Sequence, residues 1–239
     1  MMNADWLVFQ KQDSQNRPTE FAELLVHDAG LWRRHGNVNT WGDSEKRSLG
    51  DATDSEALAA ERQALEQEGF RVVREWRFDA SAFDFALLRR ELEIAVEATV
   101  ADLRRKHPGF NAFVLTTDGS RMTIGPISHA FESLADADDE SLWIPAEWSI
   151  WPSGESFDIV YRLILSQHRD DLSLVAFEDY IDGFRDAVVG ALEAVDAKGL
   201  FGPREARLLS FDLGDEGQDE DAMRRLNSPE LFARWKAWA

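Results

Sequence analysis

Three tryptophans, Trp143, Trp148 and Trp151, crowd one short segment directly after the acidic run ADADDES, which holds Asp138, Asp139 and Glu140. Indoles beside carboxylates suit recognition of a basic protein, because large aromatic side chains make buried interface anchors and a negative rim accelerates encounter. These six residues form the expected partner-binding set. Arg33, Arg34, Lys46 and Arg47 form a second, basic cluster with the chemistry of phosphate contact, and they define the alternative, nucleic-acid-binding set. Glu147 is the carboxylate to weigh for acid–base chemistry, since burial against Trp148 would raise its pKa toward that of a general acid. The bland reading of Glu147 is an ordinary surface or helix-start charge, and that of the tryptophans is packing within a core.

Other chemistries lack their residue patterns. The histidines, at 27, 35, 107, 129 and 168, show no HxxxH or HExxH spacing that would place two on one helical face, and cysteine is absent. No metal site is expected. Neither GxxxxGK[ST] nor GxGxxG occurs, so no nucleotide cofactor is expected, and Ser120 follows Gly119 in a hairpin turn instead of a strand-to-helix nucleophile elbow. The expectation is a protein without enzymatic activity or cofactor that acts by binding. Its charge selects the partner: 26 basic against 45 acidic residues leave −19, which repels a phosphate backbone and attracts a basic protein. Duplex nucleic acid is therefore an unlikely partner. The opening MMNADWLVFQ has no basic-then-apolar leader pattern, and no run reaches the length of a membrane span, so a cytoplasmic location without membrane contact is expected.

The elements that must position these residues divide the chain into 1–78 and 79–239. Trp6–Phe9, Phe21–Val26, Leu31–His35 and Phe70–Phe78 read as strands, and Ser55 is placed to cap a helix over Glu56–Glu68 that Gly69 stops. Asp79–Phe83 is the expected linker. Apolar residues then recur at threes and fours from Phe85 to Leu103, a strong amphipathic helix ended by His107-Pro108-Gly109. Phe110–Thr116 and Arg121–Ile127 flank TDGS as a hairpin. Helices are expected over Phe157–Ser166, Ser173–Lys198 and a short last stretch capped by Ser228 with Pro229 at its first position, and a strand over Arg207–Leu213. The acidic segments ADADDES and GDEGQDED read as loops. The fold class is α+β: a small antiparallel sheet-plus-helix module followed by a larger, helix-rich domain.

The first block resembles the WGR domain, through a strand running into WRRHGNVNTWG, the helix ALAAERQALEQEGF and the closing Gly69-Phe70. His35-Gly36-Asn37 stands where the Trp-Gly-Arg tripeptide would be, so Gly36 alone carries over, and the nucleic-acid contacts that the resemblance implies lose their Trp and Arg. The second block, roughly Asp84 to Ala239, resembles the bacterial family of domain of unknown function 4303. The similarity lies in FNAFVLTTDGSRMTIGP, the Pro145–Trp148 PAEW segment, FEDYIDGFRDAVVGALEAVDAKGLFG and RRLNSPELFARW. That resemblance implies a place in bacterial gene neighbourhoods that include toxin–immunity systems, and with it an immunity-type or accessory protein facing a basic toxin.

Overall fold

The computed structural model describes residues 3–27, 30–38, 40, 42–49, 53–79, 83–167 and 177–239. Trp41, residues 80–82 of the expected linker, His168 and the expected start of the long helix at Ser173 lie outside the described residues. Contacts cluster into two compact units, one within residues 1–84 and one within 85–166 and 176–239.

The first unit is a five-stranded antiparallel sheet and one helix. Strands β1 (Asn3–Gln12), β2 (Pro18–His27), β3 (Gly30–Asn37), β4 (Asp43–Ser48) and β5 (Arg71–Asp79) pair in the order β4-β3-β2-β1-β5. Side chains alternate across the pleat. Leu7, Phe9, Ala22, Leu24, Val26 and Leu31 form a core with Leu65 and Phe70, on the face where helix α1 (Asp54–Gln67) packs. Trp6, Val8, Phe21, Leu25 and Trp76 occupy the opposite face and are buried too, with Trp6 and Trp76 edge-to-face at 4.7 Å.

Two details differ from the sequence reading. Helix α1 starts earlier, because Thr53 and Glu56 close a capping box that Ser55 cannot: Glu56 N–H donates to Thr53 Oγ1 at 3.3 Å, and Thr53 N–H donates to Glu56 Oε2 at 3.0 Å. The polar stretch after Gly42, to which the sequence assigns no element, is β4, whose residues DSEKRS are all exposed. An edge strand of this kind has no apolar alternation to reveal it, and its charges discourage pairing with another chain. Between β3 and β4 the backbone doubles back at Gly42, with φ +74°, where a Cβ would lie 2.6 Å from the His35 carbonyl oxygen and 2.5 Å from Phe21 Cζ. Only glycine fits that approach.

The second unit is α+β with helices predominating. Helices α2 (Phe85–Lys106), α3 (Asp139–Trp143), α4 (Asp158–Gln167), α5 (Phe177–Ala197), α6 (Glu220–Leu226) and α7 (Pro229–Trp238) surround a three-stranded sheet. Its strands β6 (Ala112–Thr117), β7 (Ile124–His129) and β8 (Leu208–Asp212) stand in the order β7-β6-β8, antiparallel between β6 and β7 and parallel between β6 and β8. Helices α2 and α5 approach closely at Gly183, where any Cβ would strike the Phe85 ring at 2.4 Å. The outer edge of β8 is closed by a side chain: Leu209 N–H donates to Asn227 Oδ1 at 2.9 Å and Asn227 Nδ2 donates to Leu209 O at 2.7 Å. A buried amide that gives and takes one bond with the same residue satisfies backbone groups that a missing strand would leave bare.

Both acidic segments expected as loops hold helical turns. Asp138 caps α3 by accepting from Ser141 N–H at 2.8 Å, and Asp219 caps α6 by accepting from Ala222 N–H at 2.7 Å. Short acidic helices lose their apolar period in the sequence, yet their first-turn carboxylates suit the dipole and their caps satisfy otherwise bare N–H groups. Among the described residues, no helix is long and apolar enough to cross a membrane.

Candidate functional site

The four bases of the alternative set are not one patch. Arg33 and Arg47 meet on the α1 side, where Glu61 accepts from Arg33 Nη1 at 3.4 Å and from Arg47 Nη1 at 2.7 Å. Arg34, one residue along and on the other face, is buried and lies 3.7 Å from the buried Glu23, its cross-strand neighbour. Lys46 stands over the Trp32 ring at 4.8 Å. Each of the three arginines thus has an acidic partner within its own unit, and only Lys46, exposed, presents its charge without an ion pair among the described residues.

The six residues of the partner-binding set also separate. Trp143 and Trp148 are each only 2% exposed and belong to the core with Leu142, Met223 and Trp235. Trp148 Nε1 donates to Ser141 O at 3.0 Å and Trp143 Nε1 to Asp139 Oδ1 at 3.2 Å, so both indoles are held by packing and hydrogen bonding. As surface anchors they are corrected by that burial. Trp151 is the exception, 64% exposed with its Nε1 on Trp148 O. Asp138 caps α3, which holds its carboxyl below the usual range through the Ser141 backbone bond. Asp139 accepts from Arg234 Nε at 2.8 Å, while Arg234 also donates to Leu134 O, Ala135 O and Ala137 O, clamping α7 to the segment before α3. Glu140 is exposed with no ion pair among the described residues. Glu147, expected to be desolvated by Trp148, is exposed in a 3-10 turn at Pro145–Glu147, which removes the premise for a general acid.

What the structure assembles instead is a groove of about 430 Å³ between the run that follows the first acidic segment and the start of the second. One wall is the run Trp143–Ala146, the other the turn from Asp212 to Gln218, and α7 contributes Trp235 and Trp238. Gln218 Nε2 ties the walls together by donating to Trp143 O at 3.2 Å. Asp212 and Gln218 face each other in an antiparallel bridge, which sets their side chains next to each other on one face.

The groove's charged groups are positioned from below. Thr116 Oγ1 donates to Asp212 Oδ2 at 3.1 Å, and burial nevertheless holds the Asp212 carboxyl above its ordinary range. Glu216 accepts from Arg121 Nη2 at 3.2 Å. Arg121 is itself a non-glycine residue at φ 58°, buried at the tip of the β6–β7 hairpin. It is fixed there by Nη1 donating to Asp118 O at 3.0 Å and by Tyr180 donating to its carbonyl at 3.2 Å. A left-handed arginine persists only where its surroundings over-determine it. Here that conformation aims the guanidinium at Glu216.

Trp238 and Asp212 were not singled out by the sequence, whereas Glu216 and Gln218 fall in the acidic stretch Asp215–Asp221, which its charge marks for a basic partner. The usable signal was the pair Trp235 and Trp238, three apart on a capped helix and therefore near one face. Asp212 carried none, because its role depends on the bridge to Gln218.

The family described as "Domain of unknown function (DUF4303)" matches residues 92–228, a span that holds α3, both walls of the groove and Asn227 but leaves out the five-stranded sheet. No curated protein and no solved structure matches the chain.

Proposed function

We propose that this chain, which belongs to the DUF4303 family, acts by binding a basic protein, as an immunity-type or accessory factor, through the acidic, aromatic surface of its second unit. The observation that supports this reading is a groove lined by the second acidic segment and by the run Trp143–Ala146 that follows the first, with exposed carboxylates left over on the same unit. Of these, Asp136, Glu140 and Glu147 have no ion pair among the described residues. Glu140 and Glu147 flank in the chain the run Trp143–Ala146 that lines the groove. Residues 79–239 hold 16 basic and 31 acidic residues, so most of the −19 originates there. Such a field raises association rate with a cationic partner more than final affinity. Trp151, exposed beside the core, supplies a second aromatic contact on the same unit.

The test is a pull-down from the native host with the intact protein and with a triple variant, Asp136→Asn, Glu140→Gln and Glu147→Gln. Recovery of a basic protein by the wild type and its loss with the variant is the expected outcome. Equal recovery by both would remove the electrostatic basis of the reading.

The WGR resemblance of the first unit supports a lesser reading, nucleic-acid association through Arg33, Arg34, Lys46 and Arg47. Lys46, exposed over the Trp32 ring and without an ion pair among the described residues, favours it. Against it stand the ion pairs of the three arginines and a balance of 10 basic to 14 acidic residues over 1–78. A gel shift that persists at about 0.15 M salt and disappears in Lys46→Glu would promote this reading, since phosphate-driven binding weakens steeply with salt.

A further inference from the structure

We infer that the groove between Trp143–Ala146 and Asp212–Gln218 is a receptor for one guanidinium group, the side chain of an arginine presented by a protein partner. The inference deepens the basic-partner reading and rests on it for the source of the arginine.

Three observations converge on a planar cation. First, the charged and amide side chains of the lining are Asp212, Glu216 and Gln218, so the groove offers acceptors and no basic side chain. Carboxylates keep free lone pairs after one or two bonds, so Thr116 on Asp212 and Arg121 on Glu216 leave capacity for a further donor. Second, Asp212 is desolvated without a cationic partner among the described residues, which makes its charged form costly until a cation arrives. Third, the indole of Trp238 is 45% exposed at the groove. The other two indoles already bear internal cations, Arg234 over Trp143 at 5.9 Å and Lys236 over Trp235 at 5.7 Å. Trp238 alone of the three carries none among the described residues, and it is the open face.

Guanidinium fits these features better than ammonium. It is flat, weakly hydrated and able to stack on an indole while its fork donates to a carboxylate. Ammonium is strongly hydrated and would lose more on entering a groove whose remaining wall is Ile144, Pro145 and Ala146. A neutral ligand of the same shape would leave Asp212 uncompensated. The arginine head therefore lies on Trp238 and donates toward Asp212 and Glu216, with its aliphatic stem along Pro145.

The experiment uses the intact, isotope-labelled protein and three small probes: N-acetyl-arginine amide, N-acetyl-lysine amide and the neutral isostere N-acetyl-citrulline amide. The Trp238 indole N–H resonance, assigned by its disappearance in Trp238→Phe, is followed by NMR. Arginine amide is expected to shift it saturably with a dissociation constant on the order of millimolar, as suits a single side chain. Binding should be about tenfold weaker for citrulline amide and weaker for lysine amide. Asp212→Asn should reduce arginine affinity by about tenfold while leaving the remaining indole resonances in place, which shows that the variant is folded. No saturable shift with arginine amide, equal affinity for citrulline amide, or undiminished binding in Asp212→Asn would each overturn the inference. If arginine fails while the host partner is still captured in a charge-dependent way, the groove assignment falls and the basic-partner reading stands. The opposite pattern, arginine bound but no basic partner recovered, leaves the receptor and removes the reading.

Discussion

The two units treat charge in opposite ways. In the first, the cations that the sequence brings forward are engaged within their own unit: Arg33 and Arg47 share Glu61, Arg34 lies against Glu23, and Lys46 rests on Trp32. In the second, Asp138 and Asp139 are engaged as a cap and a clamp, but Asp136, Glu140 and Glu147 are exposed with no ion pair among the described residues, and Asp212 is desolvated in the groove that the open indole of Trp238 lines. A charge that already has a good partner supports the fold and has little left for a ligand. One whose partner is missing is available, so accessible charge matters more than charge counted along the chain.

The sharpest way to break this comparison is Arg34→Ala, which removes the cation that lies 3.7 Å from the buried Glu23. Removing one member of a buried pair typically costs about 3–5 kcal/mol. Chemical denaturation of the intact protein should show a loss in that range; a loss within about 0.5 kcal/mol, typical of a surface change, would mean that Arg34 is as free as a nucleic-acid contact requires.

Next in size is Arg234→Ala, which removes the bonds to Asp139 and to three carbonyls before α3. Bonds of a charged donor are worth roughly 1.5–3 kcal/mol in sum for a half-exposed group of this kind. A drop of about 2 kcal/mol measured by the same denaturation is expected. The triple variant Asp136→Asn, Glu140→Gln and Glu147→Gln should by contrast stay within about 0.5 kcal/mol of wild type. If the triple variant destabilises as much as Arg234→Ala does, those carboxylates are structural and the contrast between units fails.

Asp212→Asn sharpens the comparison through pH. Burial raises the Asp212 pKa above its ordinary 3.8. The folded state therefore holds the proton more tightly than the unfolded chain, and stability falls as pH rises through the interval between the two values. The cost is fully present above the raised folded-state value and vanishes as pH falls below 3.8. Thermal melts should accordingly place Asp212→Asn above wild type at pH 7, with the gap closing as the pH is lowered toward 4. A variant that is less stable at pH 7 would mean that the Thr116 bond outweighs burial and that the groove carries no latent demand for a cation.

The smallest expected effect concerns Thr53. Thr53→Ala opens the capping box of α1 at a cost of about 1 kcal/mol, confined to the first unit and read by denaturation. A null result would locate the start of α1 back at Ser55.

Much of the fold was legible from local patterns. The period of Leu88, Leu92, Val96 and Leu103 specified α2, and Ser228-Pro229 specified the start of α7, because caps and apolar spacing act within a few residues. β4, α3 and α6 were not legible, since each is short and polar and is held by neighbours distant in sequence. The site was legible only in part. The concentration of indoles and acids was visible, but not which indoles the core would absorb: Trp143 and Trp148 went inside, while Trp238, in no cluster, stayed at the surface. Asp212 and Gln218 meet through a bridge, and the left-handed Arg121 that holds Glu216 depends on Tyr180, 59 residues away. Pairings of that range leave no local pattern.

The most direct test of the account follows binding kinetics with the basic protein recovered from the host, comparing wild type with Trp238→Ala and with the Asp136, Glu140 and Glu147 triple variant over a range of salt. The triple variant should associate more slowly and lose part of its salt dependence, while Trp238→Ala should associate normally and dissociate about tenfold faster, as expected for rim charges and a buried anchor respectively. Association that ignores both salt and the triple variant, together with unchanged dissociation in Trp238→Ala, would contradict the claim that the second unit's unpaired acids and open indole are its binding surface.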